Sequence, residues 1–568
     1  MARLVSLSAT VLLLLVILGA WGDSVNAQQT PPTGTAAADE GFSEVVQVSV
    51  VNVEVYVTDK DGNPVTGLTK DDFEIYEEGD LQPITNFFAV EKGRPSSAME
   101  GVAPLDEQNR DRPGLERLSL PPEQRLHVII YVDNFNLRPA SRNRTLRRVS
   151  AFLRSMVRPG DQVMVVSHDR SLHLRQPFTS DMNLVSTALE ELQKLSGIMV
   201  DRDAERIRAI REIEDATDQF RAMSEARAYA ESVYTEMDFV LRALREQVDL
   251  LAGLEGRKAV IYVSDGIPSI AGEDLFLMVD ELYPRTRARA EAAVFNIDPE
   301  YREMVAAANS AGVTFYALDA GGLAAHSSVS AEFGGTEAGG SMPYVDSIRT
   351  ANLREPLHQI SDDTGGFAIV GTNAVLDNLE RLTRDFRNFY SLGFAASHFA
   401  DGRYYKIDVK VKRPGLEVRH RQGYRDNSPS RRLNDGMLAA LYYGAERNPL
   451  DVAVAMKDGG TQDGQRMIDV ELKVPIEKLT LVARTEHMVG SLQAGVVVLD
   501  QKGGVSPVTL QDPVTVAIPT AEVEDALGKH YTYAMTLAFK PGNSRVVLAL
   551  RDGFGGRTSF LREVVQVQ

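Results

Sequence analysis

Five strand-length runs of mostly apolar residues recur along the middle of the chain. They lie at residues 127–132, 162–167, 258–264, 313–319 and 367–371. Helical patterns separate most of them. Near-continuous apolar strands alternating with helices are typical of a mostly parallel sheet that helices cover on both faces. The pattern therefore predicts a doubly wound parallel sheet in an α/β domain over residues 125–388.

A long, highly charged helical section interrupts this alternation at about residues 201–254. Its apolar residues, from Phe220 and Met223 to Val248 and Leu251, follow the spacing of a helical stripe. The section is predicted to be a helical insertion in the α/β domain. Two interpretations stay open: helices packed on the body or on each other, and an arm that binds a partner.

Alternating patterns flank the α/β domain on both sides. Val51, Val53, Val55 and Val57 alternate with polar residues, which indicates a half-buried strand in a small β domain over 44–92. The charged segment 93–124 is predicted to be a linker. A strand-rich segment at 389–425 is predicted to extend the α/β domain with β structure, and its basic residues between Lys410 and Arg425 are expected to be solvated on one face.

The C-terminal part of the chain repeats the alternating pattern in short strands. About seven such strands, separated by Gly, Pro and Asp turns, favour an immunoglobulin-like β-sandwich over residues 436–568. A polar linker at 426–435 precedes it. The fold class predicted for the chain is thus α/β and multidomain.

The first 27 residues have the pattern of a secretory signal. Arg3 precedes a mostly apolar run from Leu4 to Trp21, and small residues occupy the recognition positions before a cleavage site after Ala27. The alternative is a retained membrane anchor, since the run approaches the length needed to span a bilayer. We predict a signal peptide at 1–27, a linker at 28–43, and a secreted or periplasmic protein without a transmembrane span after cleavage.

Charge and composition narrow the class of partner. The formal net charge is −18, so a general attraction to nucleic acid is not expected. Hydrophobic residues make up 43% and charged residues 25%, which is the range of folded globular proteins. The chain has no cysteine, which excludes disulfides, thiolate zinc sites and cysteine nucleophiles.

Two aspartates follow predicted parallel strands. Asp133 comes after HVIIYV and Asp265 after KAVIYVS. Ligands of open parallel sheets bind at the carboxyl ends of the strands. With Thr179 in QPFTSD, this arrangement resembles the von Willebrand factor A domain, whose metal-ion-dependent adhesion site uses Asp-x-Ser-x-Ser, a distant Thr and a distant Asp.

The resemblance extends over roughly residues 44–425. The segments TGGFAIVGTN, LDNLERLTRDFRNFYSLGF and YYKIDVKVKRPGLEVRHRQGY, with the N-terminal VEVYVTDKDGNPVTGLTKDDFEIYEEG, resemble the von Willebrand factor A-related (VWFA-related) domain of secreted acidobacterial proteins. It implies a von Willebrand factor A-like fold. It implies no reaction.

The resemblance also implies a weakened metal site formed by Asp133, Thr179 and Asp265, for Mg²⁺ or another divalent cation. The two serines of the family motif are replaced by Phe135 and Leu137, so hydroxyl ligands are missing. The substitutes on the ligand face are Asn134, Asn136 and Ser141. Three interpretations of Asp133 stay open: a cap of the following helix, a weakened metal site, and an intact one.

Binding is favoured over catalysis. The sequence has no G-x-S-x-G nucleophile elbow, no phosphate loop with its lysine and no H-E-x-x-H zinc helix. The expected function is therefore a binding or adhesion module for an unidentified protein partner at the cell envelope, with a degenerate adhesion site. An inert structural envelope component and an extracellular hydrolase are the alternatives.

Overall fold

The computed structural model describes residues 50–95, 125–158, 160–322, 342–372, 375–462 and 464–567. These residues fall into two compact units, 50–426 and 427–567. The predicted signal peptide (1–27), the linker at 28–43 and most of the linker at 93–124 lie outside the described residues. Within the described residues, no helix is both long enough and apolar enough to cross a membrane.

The first unit is built from strands β1 to β15 and helices α1 to α9. Its strands are β1 (Val50–Thr58), β2 (Phe73–Glu77), β3 (Asp80–Gln82), β4 (Ile84–Glu91), β5 (Arg94–Pro95), β6 (Leu126–Val132), β7 (Gln162–His168), β8 (Leu172–Thr179), β9 (Arg257–Ser264), β10 (Val313–Asp319), β11 (Phe367–Ile369), β12 (Phe389–Ala395), β13 (Tyr404–Val411), β14 (Glu417–His420) and β15 (Gly423–Arg425). Its helices are α1 (Pro139–Met156), α2 (Met182–Leu192), α3 (Met199–Glu214), α4 (Gln219–Leu251), α5 (Glu273–Leu282), α6 (Ala288–Ala292), α7 (Asp298–Ala311), α8 (Met342–Asp363) and α9 (Val375–Arg387).

A six-stranded sheet in the order β11-β10-β9-β6-β7-β8 forms the centre of this unit. The five predicted apolar runs supply its five parallel strands, and β8 pairs antiparallel with β7 at the edge. One face packs on α1, α2 and α9 through a core that includes Val128, Ile130 and Leu189. Helices α7 and α8 also contact β10. Mixed α/β architecture with a largely parallel sheet is therefore confirmed.

Two antiparallel sheets adjoin this α/β body. Their strand orders are β14-β1-β12-β4-β5 and β15-β13-β2-β3. They share one core, in which Val53, Val55, Ile75, Leu392 and Val409 are buried. Because β1 pairs with β12 and β14, the segments predicted as a small β domain (44–92) and as a β extension (389–425) build these sheets together.

The predicted helical insertion consists of α3 and α4. The buried face of α4 includes Ala222, Ala226 and Ala230, which join a core with Leu275 and Phe276 of α5. Helix α4 also packs on α7. The two helices therefore pack on the body of the unit.

In the second unit, the described residues form antiparallel sheets and two α-helices. Its elements are α10 (Pro429–Tyr443), β16 (Ala453–Gln462), β17 (Gln465–Pro475), β18 (Val482–Ala483), β19 (His487–Leu499), β20 (Thr509–Leu510), β21 (Val514–Pro519), α11 (Val523–Leu527), β22 (His530–Phe539), β23 (Gly542–Asp552) and β24 (Thr558–Val567). The sheet orders are β16-β17-β22 and β18-β19-β23-β24, with β20 and β21 paired to β19.

Residues predicted as the linker 426–435 are partly helical, because α10 begins at Pro429. Ser428 caps this helix, since its hydroxyl accepts a hydrogen bond from the Arg431 N–H at 3.2 Å. Leu433 and Met437 are buried with Val497 and Val547. The polar composition of the linker concealed this apolar face. The immunoglobulin-like arrangement of the strands stays a prediction.

Candidate functional site

Three aspartates follow or end adjacent parallel strands at one edge of the central sheet. Asp133 follows β6, Asp265 follows β9, and Asp319 is the last residue of β10. Val132 pairs with Val263, and Asp319 pairs with Ser264, so the three strands end level with one another. We call this edge, defined by the three aspartates, the crest.

The Asp133 carboxylate is fully buried and bonded on both oxygens. Its Oδ2 atom accepts hydrogen bonds from the Tyr262 hydroxyl at 2.6 Å, the Asn136 side-chain amide at 2.8 Å and the Ser264 hydroxyl at 3.1 Å. Its Oδ1 atom accepts a bond from the Asn136 N–H at 3.3 Å. Asp133 thus closes the turn after β6, and it does not cap α1, whose N-cap residue is Arg138.

Asp265 is also buried but far less completely bonded. Its Oδ2 atom accepts a hydrogen bond from the Arg138 N–H at 3.0 Å and lies 3.8 Å from the Arg138 guanidinium. The buried Oδ1 atom accepts no hydrogen bond from the described residues. Burial raises the pKa of Asp265 to about 7, although the hydrogen bond and charge of Arg138 act to lower it; the charges of Asp319 and Asp203 raise it further.

Asp319 is a third crest residue that the sequence reasoning missed as a site. Its Oδ1 atom accepts bonds from the N–H groups of Gly321 and Gly322, and its Oδ2 atom accepts bonds from the Gly371 N–H and Arg354 Nε. The same signal that marks Asp133 and Asp265, an aspartate at the end of an apolar strand, was present in VTFYALD.

The predicted ligand face is covered in the structure. The side chains of Asn134, Asn136 and Ser141 are all buried. Arg142 donates a hydrogen bond to Asn134 Oδ1, and Arg202 of α3 donates one to Asn136 Oδ1. The structure thus places these three residues in the interior, and their role as a ligand face stays a prediction.

The cover is held in place by arginine–carboxylate pairs. Arg138 forms a two-pronged ion pair with Asp203 of α3, with Nε and Nη2 donating at 2.9 and 3.0 Å. Arg349 of α8 lies 3.5 Å from the same carboxylate. A guanidinium that donates two hydrogen bonds to one carboxylate forms a strong and directional ion pair. These ion pairs hold the helical insertion over the crest.

Thr179 lies on the edge strand β8, near the end of the sheet opposite the crest. It pairs with Val163 at the start of β7, which in turn pairs with Val128 at the start of β6. At about 3.3 Å per residue, Thr179 is about 16 Å from Asp133 along the strand direction. Its hydroxyl accepts a hydrogen bond from the Asp181 N–H at 3.0 Å, just before α2. The structure therefore does not bring Thr179 to the two aspartates.

The donor set at the crest does not fit a hard divalent cation. Phe135 and Leu137, which carry no side-chain oxygen, are buried. The guanidinium of Arg202 lies 5.2 Å from the centre of the Phe135 ring. Both oxygens of Asp133 already accept hydrogen bonds, and a magnesium site requires several free oxygen ligands.

A second cluster, which the sequence did not reveal, surrounds His398. In the described part of the chain, His398, Asp401 and Asp426 place possible metal-ligand atoms within 4.8 Å of one another. The ring nitrogens of His398 lie 3.1 Å from Asp426 and 3.0 Å from Glu77. Burial alone lowers the pKa of His398, but hydrogen bonds to these two carboxylates raise it above its ordinary value. Each ring nitrogen of His398 thus lies within hydrogen-bonding distance of a buried carboxylate.

No protein-family model matches the chain, and no curated protein matches it. Among solved structures, an aerotolerance-related membrane protein from Bacteroides fragilis is 13% identical, with 46% of this chain and 98% of that chain covered and a TM-score of 0.24. BatB, described as a conserved hypothetical protein from Bacteroides thetaiotaomicron, is 12% identical over 46% and 98%, with a TM-score of 0.21. Three domains of the type V pili tip protein Mfa5 from Porphyromonas gingivalis are 9% identical over 91% and 76%, with a TM-score of 0.23. At these TM-scores the similarities carry no argument.

Proposed function

We propose that the chain is a secreted or periplasmic protein-binding module of the VWFA-related kind, without catalytic activity, that acts in interaction or assembly at the cell envelope. We further propose that it binds its protein partner without a divalent cation. In this proposal the crest is a degenerate adhesion site that now serves as an internal polar network. The C-terminal unit is assigned the immunoglobulin-like arrangement predicted from its strands.

One observation carries the metal-independent part of this proposal: the buried Asp133 carboxylate is bonded by Tyr262, Ser264 and Asn136. A carboxylate that accepts several internal hydrogen bonds has no need of a cation to satisfy it. A cation would have to displace these donors and the covering Arg202. Metal-dependent capture of a partner at this position is therefore disfavoured.

The test is capture of envelope proteins by the purified chain in the presence of Mg²⁺ or of a chelator. We expect the same proteins to be captured under both conditions, and equally by an Asp133→Asn variant at a temperature at which this variant is folded. Calorimetric titration with Mg²⁺ or Mn²⁺ should show no binding that depends on Asp133.

Two results would contradict the proposal in different ways. Capture that needs the divalent cation and is lost in Asp133→Asn would restore a working adhesion site. Capture no greater than that by an unrelated acidic protein of similar size would favour the inert structural component instead.

A further inference from the structure

A cavity of about 210 Å³ lies at the end of the central sheet opposite the crest. It is bounded by the first residues of β9 and β10, by the polar face of β1 and β12, and by the segment after β14. The residues that define it are Glu54, Lys258, Gly312, Thr314, Ser391 and Arg421. We call it the basal cavity.

Two cationic side chains of the basal cavity are held by carbonyl groups. Lys258 is 8% exposed, and its ammonium donates one hydrogen bond to the Leu254 carbonyl at 2.8 Å. Arg421 donates to the carbonyls of Asn309 at 2.8 Å and Asn52 at 2.7 Å. An ammonium has three donors and a guanidinium five, so donors are left over on both groups.

The Nε atom of Arg421 is the clearest unused donor. It is enclosed and has no hydrogen-bond acceptor among the described residues. The sequence pattern predicted solvated charges in this segment, but Arg421 is only partly exposed and points its guanidinium inward to Asn52 and Asn309. Enclosed donors without an acceptor are uncommon in folded proteins and indicate a missing partner.

Gly312 keeps the space between the two cations open. It ends α7 in a left-handed conformation with φ of 64°, which favours glycine. A Cβ atom at this position would lie 3.5 Å from Arg421 Nη1 and 4.0 Å from Lys258 Nζ. Both charges therefore border the same small volume, and no side chain from the end of α7 fills it.

The charge balance of the basal cavity is positive. Glu54 is the acidic residue of its lining. The Glu54 Oε2 atom accepts hydrogen bonds from Arg257 Nε and from the Tyr56 hydroxyl, both at 3.1 Å, so its charge is shared with a third cation. Burial lowers the pKa of Lys258 to about 8. The charge of Glu54 acts to raise this pKa, and the charge of Arg421 lowers it further. An anion beside Lys258 would raise this pKa back towards its ordinary value.

We propose that the basal cavity binds a small oxyanion, of the class of inorganic phosphate, sulfate or a short carboxylate. The Lys258 ammonium and the free donors of Arg421 supply the charged hydrogen bonds, and Thr314 and Ser391 contribute hydroxyl-bearing side chains to the wall. The volume admits such an ion but is below the usual range for ligands of nucleotide size.

The first experiment uses the wild-type chain and labelled inorganic phosphate in equilibrium dialysis near neutral pH. We expect saturable binding of one ion per chain with a Kd of about 1 mM or tighter. Competition with sulfate and with acetate, against chloride as the control, distinguishes tetrahedral oxyanions from carboxylates. Absence of saturable binding by labelled phosphate, labelled sulfate and labelled acetate in the same dialysis would overturn the proposal.

The second experiment locates the ion. Lys258→Met should weaken binding by about tenfold or more, because a charged hydrogen bond is lost. Lys457→Met removes the same charge from an exposed lysine paired with Glu471 and should leave binding unchanged. Ser391→Ala serves as a milder variant should Lys258→Met fail to fold, and a loss of about threefold is expected there. Equal weakening by Lys457→Met, or unchanged binding in both cavity variants, would rule out this cavity as the site.

Discussion

Asp133 shows how a buried carboxylate at a strand end can be satisfied entirely by the protein. It follows β6 directly, and its partners are the side chains of Tyr262, Ser264 and Asn136. All three are donors, and the first two come from the neighbouring strand β9. The carboxylate therefore ties the end of β6 to the end of β9.

Replacing Asp133 by alanine should destabilise the first unit by about 3 kcal/mol, because several buried donors would lose their acceptor. Asp133→Asn retains one acceptor and should cost less. The measurement is the urea midpoint of unfolding, with the exposed Asp61→Ala as a control expected within about 0.5 kcal/mol of the wild type. Equal midpoints for Asp133→Ala and Asp61→Ala would show that the network does not contribute.

Asp265 gives the stability of the chain a pH dependence with a defined sign. Its folded-state pKa of about 7 is above its ordinary value of 3.8, so the folded chain holds this proton more tightly than the unfolded chain. The resulting stabilisation is fully present below about pH 4 and is lost as the pH rises through about 7. Since Asn does not ionise, Asp265→Asn should remove this loss, which amounts to at most about 4 kcal/mol.

The check is the difference in free energy of unfolding between Asp265→Asn and wild type as a function of pH. It should move in favour of the variant between about pH 4 and pH 7 and then level off. His398, whose pKa is raised, is present in both proteins, so its titration cancels in the difference. A difference that is constant with pH would show that Asp265 is ionised throughout.

The sequence could place Asp133 and Asp265, because a strand-end aspartate follows directly from the apolar runs. It could not place Thr179, since its position depends on β8 running antiparallel to β7. The sequence also did not predict which arginines cover the crest. Arg138 and Arg202 look like ordinary surface charges in the sequence, and only the tertiary fold brings them to Asp203 and Asn136.

At the scale of the elements, the fit of α4 against α5 depends on small residues. Gly272, the N-cap of α5, has a φ of 69°, and a Cβ atom there would lie 2.8 Å from the Cβ of Ala230 on α4. Real Cβ atoms do not approach so closely, so a side chain at this position would push the two helices apart. This contact fixes one point at which the insertion joins the body.

Gly272→Ala should therefore cost more than the usual penalty of a left-handed conformation. Gly62 provides a matched control, because its φ is 76° and a Cβ atom there would meet nothing within 4 Å. We expect about 1 kcal/mol for Gly62→Ala and an additional 1–3 kcal/mol, approximately, for Gly272→Ala. Thermal melting of both variants measures the difference, and equal shifts would argue against close packing of α4 on α5.

Elements whose signal is local were predicted well, and elements whose pairing is long-range were not. The apolar runs of β6, β7, β9 and β10 mark buried parallel strands wherever they lie in the chain. The pairing of β1 with β12 joins residues more than 300 positions apart, and alternation alone does not reveal its partner. Helix α10 is an exception among the local elements: it was missed because polar residues flank its short apolar face.

At the scale of the whole molecule, the cores define the units. The hydrophobic clusters built from described residues each lie within one unit: those around Val128, Val53, Ala226 and Tyr56 in residues 50–426, and those around Val470 and Leu433 in residues 427–567. A segment with its own hydrophobic core and its own closed set of strand pairings meets the physical definition of a domain.

Residues 427–568, expressed alone, should therefore fold. The five longest pairings of β16 to β24 are all internal to this fragment, and its two cores need no residue from 50–426. We expect a β-rich circular dichroism spectrum and a cooperative melting transition. A matched fragment that begins at residue 445 lacks α10 and exposes the face lined by Val497 and Val547, so it should melt at a lower temperature or aggregate. If the fragment 427–568 shows no cooperative melting transition, its folding requires the first unit.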